Sequence, residues 1–536
     1  MTLTERAKDL LQVRPARRAI NREIQRMAAQ VAQAAPVADG SKTIISFNAS
    51  TRITGLSLNA AFALLTGWSL RLQGVRLVNF VCERGMQRCV LGTRTDDVLK
   101  APPCAQCIKQ SDAIYAGSEV VALENHVDAD LAAAINALSL AELQELTYEN
   151  IPLGQLCLPS MRWILRRHHL VDDGPTTTLY RDYILSAYNV AQQFGALLDD
   201  LNPLAVMVFN GMQFPEAAAR WVAQQRGIPV YSHEVGLAPT SAFFTPGEAT
   251  AYPVEIPDDF RLTPEMDEKL DGYLSKRFKG DFSMAGVKFW PEMSGLDADF
   301  VAKLATFEQV IPVFTNVIFD TSQPHANVVF EDMFIWLDEV LKVAEKHPET
   351  LFVIRAHPDE SRPGKASRES VADWAARNKV AERHNVDFIP PDAYFSSYEM
   401  IQRSKFVMIY NSTIGMEAAI MGAAVLSAGK ARFTQLDTVF FPKTVADYLA
   451  KLEAFLAADE VSALPEHSVN ARRFLYYQLY RTSLPFGEYL EADGVWPGFV
   501  RLKDFVLDDL LPAHSETMRV ISEGLLAGEP FLLSGD

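Results

Sequence analysis

No stretch of this 536-residue chain stays apolar for the roughly 18 residues that a membrane-crossing helix needs. The nearest approach, Leu56 to Leu70, is interrupted by Ser57, Asn59, Thr66, Gly67 and Ser69 and reads as a helix buried in a protein core. The amino-terminal sequence MTLTERAKDLLQVRPARRAINREIQRM is amphipathic but has neither the apolar region nor the cleavage site of a secretory signal, so cytoplasmic residence is expected. Positive charge is short as well. Fifty Lys and Arg face 67 Asp and Glu, and a net charge of −17 argues against nucleic acid as a partner, because phosphate backbones need a basic surface. A small anionic substrate stays open, since it needs only local positive charge and helix N-termini, not a basic protein. Arg14, Arg17, Arg18, Arg22 and Arg26 form one basic cluster, which could meet anionic lipid peripherally or be the solvated face of a terminal helix.

What is present is an ordinary globular balance, 49% hydrophobic and 22% charged, over a length that suits two substantial domains. Residues 1–40 read as a helical preamble. Strand and helix patterns then alternate through KTIISFNA, VRLVNFVC, AVMVFN and IPVYSHE, the rhythm of a doubly wound parallel sheet. Residues 240–300, which include the Pro-rich TPGEATAYPVEIPDDF, break that rhythm and read as a connection of short helical pieces without clear strands, closing a first domain over 41–300. Alternation resumes with VIPVFTNVIF, TLFVIRAHP, VDFIPP, KFVMIY and AAVLSAG, a second Rossmann-like domain over 301–490, before a helical tail over 491–536 that returns to the first domain. Neither strand series opens on Gly-x-Gly-x-x-Gly, which counts against a dinucleotide oxidoreductase.

The most informative stretch is KFVMIYNSTIGMEAAIMG. A buried strand ends at Tyr410, the polar turn Asn411-Ser412-Thr413 follows, Gly415 allows close approach, and Glu417 falls in the first turn of a helix. Hydroxyls and free N–H groups there suit a phosphate, and Glu417 could accept from ribose hydroxyls; helix capping is the competing explanation for the polar turn. FVIRAHPDE presents His357-Pro358 directly after a strand, where an imidazole can donate to a phosphate oxygen, with Arg355 alternating on the strand and Lys365 in the loop beyond. His347-Pro348, at a helix end, shows that the dipeptide alone is unspecific. Thr315, Asn316, Asp320, Ser322 and Gln323 follow the first strand of this domain, and Lys430 and Arg432 follow its last.

The combination of His-Pro with (Asn)-Ser-Thr-x-Gly-x-Glu-Ala-x-x-x-Gly resembles the GT-B glycosyltransferases of bacterial capsule and surface polysaccharide synthesis, including the motifs of bacterial sialyltransferases and Kdo transferases. The resemblance covers mainly residues 305–435. It implies two Rossmann-like domains facing a central cleft, and an inverting transfer without a catalytic metal. His357, Ser412 and Thr413 would hold the phosphate of a nucleotide-sugar, joined at the donor site by Arg355, Asn316, Asn411, Glu417 and Lys430. The acceptor would be a saccharide or a lipid-linked saccharide. A CDP-polyol phosphotransferase, a non-hydrolysing nucleotide-sugar epimerase and a non-catalytic assembly subunit are the alternatives.

An inverting transfer needs a base from the opposite side of the cleft. YSHEVG offers Glu234, with His233 second and Gly236 permitting a tight turn, while Asn210-Gly211 end the preceding strand. Asn48, Ser50, Thr51 and Arg52 are candidate acceptor contacts. His168-His169, between arginines and Leu170, read as a solvated helix face rather than a metal site. Of five cysteines, four fall in Cys82-x6-Cys89-x14-Cys104-x2-Cys107. In a reducing compartment such a set points to metal rather than disulfides: a structural zinc, or with the same ligands an iron–sulfur cluster, against the plainer reading of four small buried residues.

Overall fold

The computed structural model describes residues 13–49, 54–250, 254–279, 283–284, 287–288, 294–393, 395–496 and 498–534. Ser50, Thr51 and Arg52, candidates for acceptor contacts, lie outside the described residues. Short runs rich in Val, Ile and Phe form the strands of two main sheets. In chain order the strands are β1 (Asp39–Asn48), β2 (Val75–Cys82), β3 (Glu119–Leu123), β4 (Ala205–Phe209), β5 (Val230–Val235), β6 (Ser241–Pro246), β7 (Gln309–Phe314), β8 (Thr350–Arg355), β9 (Val386–Ile389), β10 (Val407–Ile409), β11 (Val425–Ser427) and β12 (Leu484–Pro485).

The first sheet has the order β3-β2-β1-β4-β5-β6-β12. Its first five strands in sequence run parallel, β6 pairs antiparallel with β5, and β12 pairs antiparallel with β6. The second sheet, β9-β8-β7-β10-β11, is parallel throughout. In each, the first strand is central and the chain reverses its direction of winding beside it, so a crevice opens at the carboxyl ends of the strands. Helices cover both faces of such a sheet, which is why β8 and β10 are buried at every position and show no alternation in sequence. The two crevices open on one cleft, the GT-B arrangement.

The apolar segment at Leu56–Leu70 becomes the helix Leu58–Leu72, capped by the Ser57 hydroxyl, which accepts from the Ala60 N–H at 3.2 Å. Its buried Ser69 hydroxyl donates to the Leu510 carbonyl at 2.6 Å, so tertiary structure absorbs polarity that lipid could not. Among the described residues no helix is long and apolar enough to cross a membrane. The helix Arg14–Ala34 buries Ile20, Ile24, Met27, Ala28 and Val31 and leaves Arg18, Arg22 and Arg26 exposed, with Arg26 paired to Glu23 at 2.5 Å.

Two sequence expectations need correction. The connection over 240–300 contains a strand, β6, beside the expected helical structure, of which the helix Pro264–Phe278 is 15 residues long. β6 is a hairpin partner of β5, made across a tight turn in which Thr240 takes a left-handed φ of 49° and the Gly236 N–H donates to the Ser241 carbonyl at 2.8 Å. A hairpin strand this short, ending in proline, carries too little periodicity to be read alone. The carboxy-terminal tail is not wholly helical either. The return to the first domain begins ahead of residue 491, with β12 (Leu484–Pro485) joining the first sheet, and Leu490–Ala492 and Phe499–Leu502 form a small antiparallel sheet with Leu56–Ser57 before the helix Glu516–Ala527.

In the core of the second domain, the Trp336 indole donates to the Tyr448 hydroxyl at 2.8 Å, and both side chains are fully buried. Tyr448→Phe removes the acceptor and leaves the indole N–H unsatisfied. The expected loss is about 1–3 kcal/mol of unfolding free energy, read from the urea midpoint; an unchanged midpoint would show that water reaches this pair.

Candidate active site

At the reversal of the second sheet, the ends of β7, β8 and β10 surround a cavity of about 300 Å³. Phe314 and Thr315, Arg355 to Pro358, and Ser412 to Ile414 line it, together with Met416 and Glu417. Arg355 is 3% exposed. Its Nη2 donates to the Phe395 carbonyl at 3.2 Å, whereas its buried Nη1 has no hydrogen-bond partner among the described residues. Burial lowers its pKa to about 10, so the guanidinium keeps its charge at neutral pH. A buried cation with an unused N–H is costly unless an anion or polar group meets it.

His357 follows on the same strand end. Its Nδ1 accepts the Asp359 backbone N–H at 3.1 Å, which leaves the proton of the neutral ring on Nε2. Burial lowers the imidazole pKa, so this group offers a hydrogen-bond donor rather than a charge at neutral pH. Ser412 and Thr413 supply hydroxyls from the opposite wall, and Thr413 makes no side-chain cap to the short helix Ile414–Ile420. The capping explanation for Thr413 therefore has no hydrogen bond behind it. That helix has only seven residues, so little of the expected dipole is available and the hydroxyls matter more.

Several residues expected beside them are engaged elsewhere. Both carboxylate oxygens of Glu417 are occupied: Arg277 Nε donates to Oε1 at 2.5 Å and the Tyr398 hydroxyl to Oε2 at 2.6 Å. Burial opposes the charge of Arg277, but Glu417 outweighs it and holds the guanidinium pKa above its ordinary value. A ribose hydroxyl at Glu417 would have to share these oxygens. Asn411 Oδ1 accepts from Asn316 Nδ2 at 2.7 Å and from Gln323 Nε2 at 3.3 Å, so Asn411 and Asn316 tie two strand exits together behind the cavity instead of lining it. Thr315 spends its hydroxyl on the Arg355 carbonyl at 3.0 Å. Lys430 is exposed and lines neither this cavity nor the next. Arg277, Tyr273 and Lys279 enter from the helix Pro264–Phe278 and its end, in a segment whose sequence carries no strand-end signal.

A second cavity, about 640 Å³, lies at the reversal of the first sheet and shares Leu237 and Gln478 with the first. Asn48, Asn210, His233 and Glu234 line it at the strand ends, and Asp320, Lys365 and Arg432 reach it from the other domain. Three donors fix the Glu234 carboxylate: Asn59 Nδ2 at 3.1 Å and the Val235 N–H at 2.8 Å to Oε1, and Asn210 Nδ2 at 3.0 Å to Oε2. His233 is buried, with ring centroids of Phe209 and Phe244 at 6.0 and 5.6 Å. Burial pushes its pKa down to about 3, which makes it a weak base.

Residues 295–436 match the family model described as capsule polysaccharide biosynthesis protein. That segment holds Arg355, His357, Ser412, Thr413 and Glu417. Protein FixF of Sinorhizobium fredii is 30% identical over 245 residues, 45% of this chain and 52% of that protein, so the chain spans about half the length of this curated relative. Among solved structures, a β-Kdo 2,4 transferase (KpsC) of Thermosulfurimonas dismutans aligns at 13% identity and TM-score 0.36, covering 57% of this chain and 87% of that one. The UDP-GlcNAc 2-epimerase of Neisseria meningitidis aligns at 14% identity and TM-score 0.22, covering 82% and 99%.

The histidine pair is not a solvated helix face. The helix ends at Leu165, Arg166 turns left-handed at φ 57°, and His168 is buried. His169 reaches the second domain, with Nδ1 2.7 Å from Glu369 and Nε2 3.2 Å from Asp332. His168, His169 and Asp332 hold ligand atoms within 4.8 Å of one another, but both ring nitrogens of His169 already meet carboxylates. The bonds to Asp332 and then Glu369 raise its pKa to about 9. This bridge adds stability in full below the unfolded histidine value of about 6.5 and loses it as pH rises through about 9. The thermal midpoint of wild type should therefore exceed that of His169→Gln near neutrality, with the gap closing across that interval. A gap independent of pH would show that the contact is not ionic.

Proposed function

We propose that this chain is a glycosyltransferase of capsule or surface polysaccharide synthesis, taking a nucleotide-sugar in the Arg355–His357 cavity and a saccharide acceptor in the adjoining one. The observation that carries the reading is the buried Arg355 guanidinium with its unused Nη1 donor, set beside the Nε2–H of His357 and the hydroxyls of Ser412 and Thr413. Four donors converging on one cavity suit a phosphate, and the match of this segment to a capsule-synthesis family supports the substrate class. A nucleotide-sugar epimerase would use the first cavity alone, whereas a second cavity with a fixed carboxylate favours transfer to an acceptor.

In this mechanism Glu234 removes the proton of an acceptor hydroxyl, and that oxygen attacks the anomeric carbon from the side opposite the phosphate. The bond to the phosphate oxygen breaks with its electron pair, configuration inverts, and Arg355 and His357 stabilise the charge left on the nucleotide. Glu417 acts in the same site through Arg277 and Tyr398, which it holds against the cavity wall. The acceptor is a saccharide, free or lipid-linked, and exposed Arg18 and Arg22 supply the basic face a peripheral membrane enzyme would use.

Glu234→Gln should lower turnover by roughly 10²–10⁴-fold while leaving the donor KM nearly unchanged, because it removes the base and keeps the size. Arg355→Met should raise the donor KM. Both are read by nucleotide release from a panel of nucleotide-sugars in the presence of capsular oligosaccharide. Full activity of Glu234→Gln would remove the carboxylate from the mechanism, and a soluble isomerised sugar formed without acceptor would replace transfer by epimerisation.

A further inference from the structure

Arg166 sits where both its backbone and its side chain are disfavoured. It follows the helix Leu153–Leu165 with φ 57° and ψ 38°, a left-handed conformation that glycine takes freely and a residue with a Cβ does not. Arg166 is 8% exposed, and burial, then the neighbouring Arg368, lower its pKa. Its Nε and Nη1 have no hydrogen-bond partner among the described residues. Ending a helix requires none of this, since glycine would do so at less cost. Strain of this kind marks a residue kept for what it does to its surroundings.

What Arg166 does is hold one loop of the second domain. Its Nη2 donates to the Gly364 carbonyl at 2.9 Å, and its own carbonyl accepts the Arg368 N–H at 2.8 Å. The guanidinium lies 4.7 Å from the ring centre of Trp163 in the first domain and 5.2 Å from that of Phe319 in the second. Stacking on two rings offsets part of the desolvation. Two further segments of the first domain grip the same loop. The His168 and His169 N–H groups donate to Glu369 Oε2 at 2.9 and 3.0 Å, and Arg368 Nη2 donates to the Thr95 carbonyl. Thr95 belongs to the loop 83–103, whose internal and flanking cysteines, Cys82, Cys89, Cys104 and Cys107, line one small cavity of about 30 Å³.

The gripped loop, 361–370, starts just beyond His357 and closes on itself at its base. The Ser367 N–H donates to the Glu360 carbonyl at 2.9 Å, and the Val371 N–H meets both carboxylate oxygens of Glu360 at 3.2 Å. Lys365 stands at the tip, after Gly364 with its φ of 78°. It lines the acceptor cavity, with Nζ 5.2 Å from the centre of the Trp163 ring. The base of the loop thus adjoins the Arg355–His357 cavity, and its tip forms part of the acceptor cavity.

We propose that Arg166 is a positioning residue, which clamps the loop 361–370 against the first domain and so sets Lys365 in the acceptor cavity. The clamp is read from the contacts themselves, whereas its effect on an acceptor rests on the transferase reading. His357 does not depend on it, because the Asp359 N–H orients that ring within the turn before the loop. Arg166 therefore acts on acceptor binding and leaves nucleotide binding alone.

The test is Arg166→Gly in the full chain, which relieves the left-handed strain and removes the side chain. Amide hydrogen exchange read by mass spectrometry should run about tenfold faster over 361–370 and unchanged over β8. The acceptor KM should rise about tenfold while the nucleotide Kd stays at its wild-type value. Arg166→Met keeps the stem over Trp163 and removes the donors. It should show the same two changes, and it decides the matter if the glycine variant does not fold. Wild-type exchange over 361–370, or an unchanged acceptor KM, would overturn the proposal. Faster exchange spread through the whole first domain would show a merely structural residue and overturn it as well. If no nucleotide-sugar and acceptor react, the transferase reading fails, while exchange over 361–370 still decides the clamp.

Discussion

The register of three parallel strands is the constraint on which the site depends. Phe314 at the end of β7 pairs with Arg355 of β8 on one side and Ile409 of β10 on the other, so all three chains leave the sheet at the same level. Whatever follows those residues must meet in the crevice: Thr315 after β7, His357 after β8, Ser412 and Thr413 after β10. A slip of one residue in β8 would exchange the faces of Arg355 and its neighbours and take the guanidinium out of the cavity. Backbone pairing thus does the positioning, and side chains within the strands are left to pack.

Desolvation decides what those side chains can do. Burial leaves Arg355 charged because an arginine pKa can fall to about 10 and still lie well above neutrality. The same burial leaves His233 and His357 neutral. Cation and neutral donor therefore stand side by side in a chain whose overall charge is −17. The acidic surface and the local positive field are compatible because a buried charge is screened far less than exposed ones. Arg277 is a different case, since Glu417 neutralises it and their pair links the connecting helix Pro264–Phe278 to the helix Ile414–Ile420 that follows β10.

The strand ends were legible in sequence because apolar runs stop abruptly at polar residues, as KFVMIY does at Asn411 and TLFVI at Arg355. The gathering of Arg355, His357, Ser412 and Thr413 around one cavity follows from that. What sequence could not convey is which polar residues spend their hydrogen bonds on each other. Asn316, Gln323 and Asn411 look like ligand contacts until the strand exits are adjacent, when Asn316 and Gln323 both donate to the Asn411 Oδ1. Arg277 lies 140 positions from Glu417, and no local pattern connects them. Lys430 follows the edge strand β11 with its side chain exposed, whereas Arg432, two residues on, lines the second cavity. β6 and the carboxy-terminal strands escaped notice because two to six residues carry too little periodicity to separate a strand from a loop. The histidine pair was misread because its partners, Asp332 and Glu369, belong to the other domain.

The central claim is that the second sheet ends in a phosphate grip, and calorimetric titration with CMP, CDP, UDP and GDP beside their unphosphorylated nucleosides tests it without any sugar or acceptor. The account predicts saturable binding of at least one nucleotide at a single site, weakened by salt, and no measurable binding of the matching nucleoside. Equal affinity for nucleotide and nucleoside, or binding of neither, would contradict it.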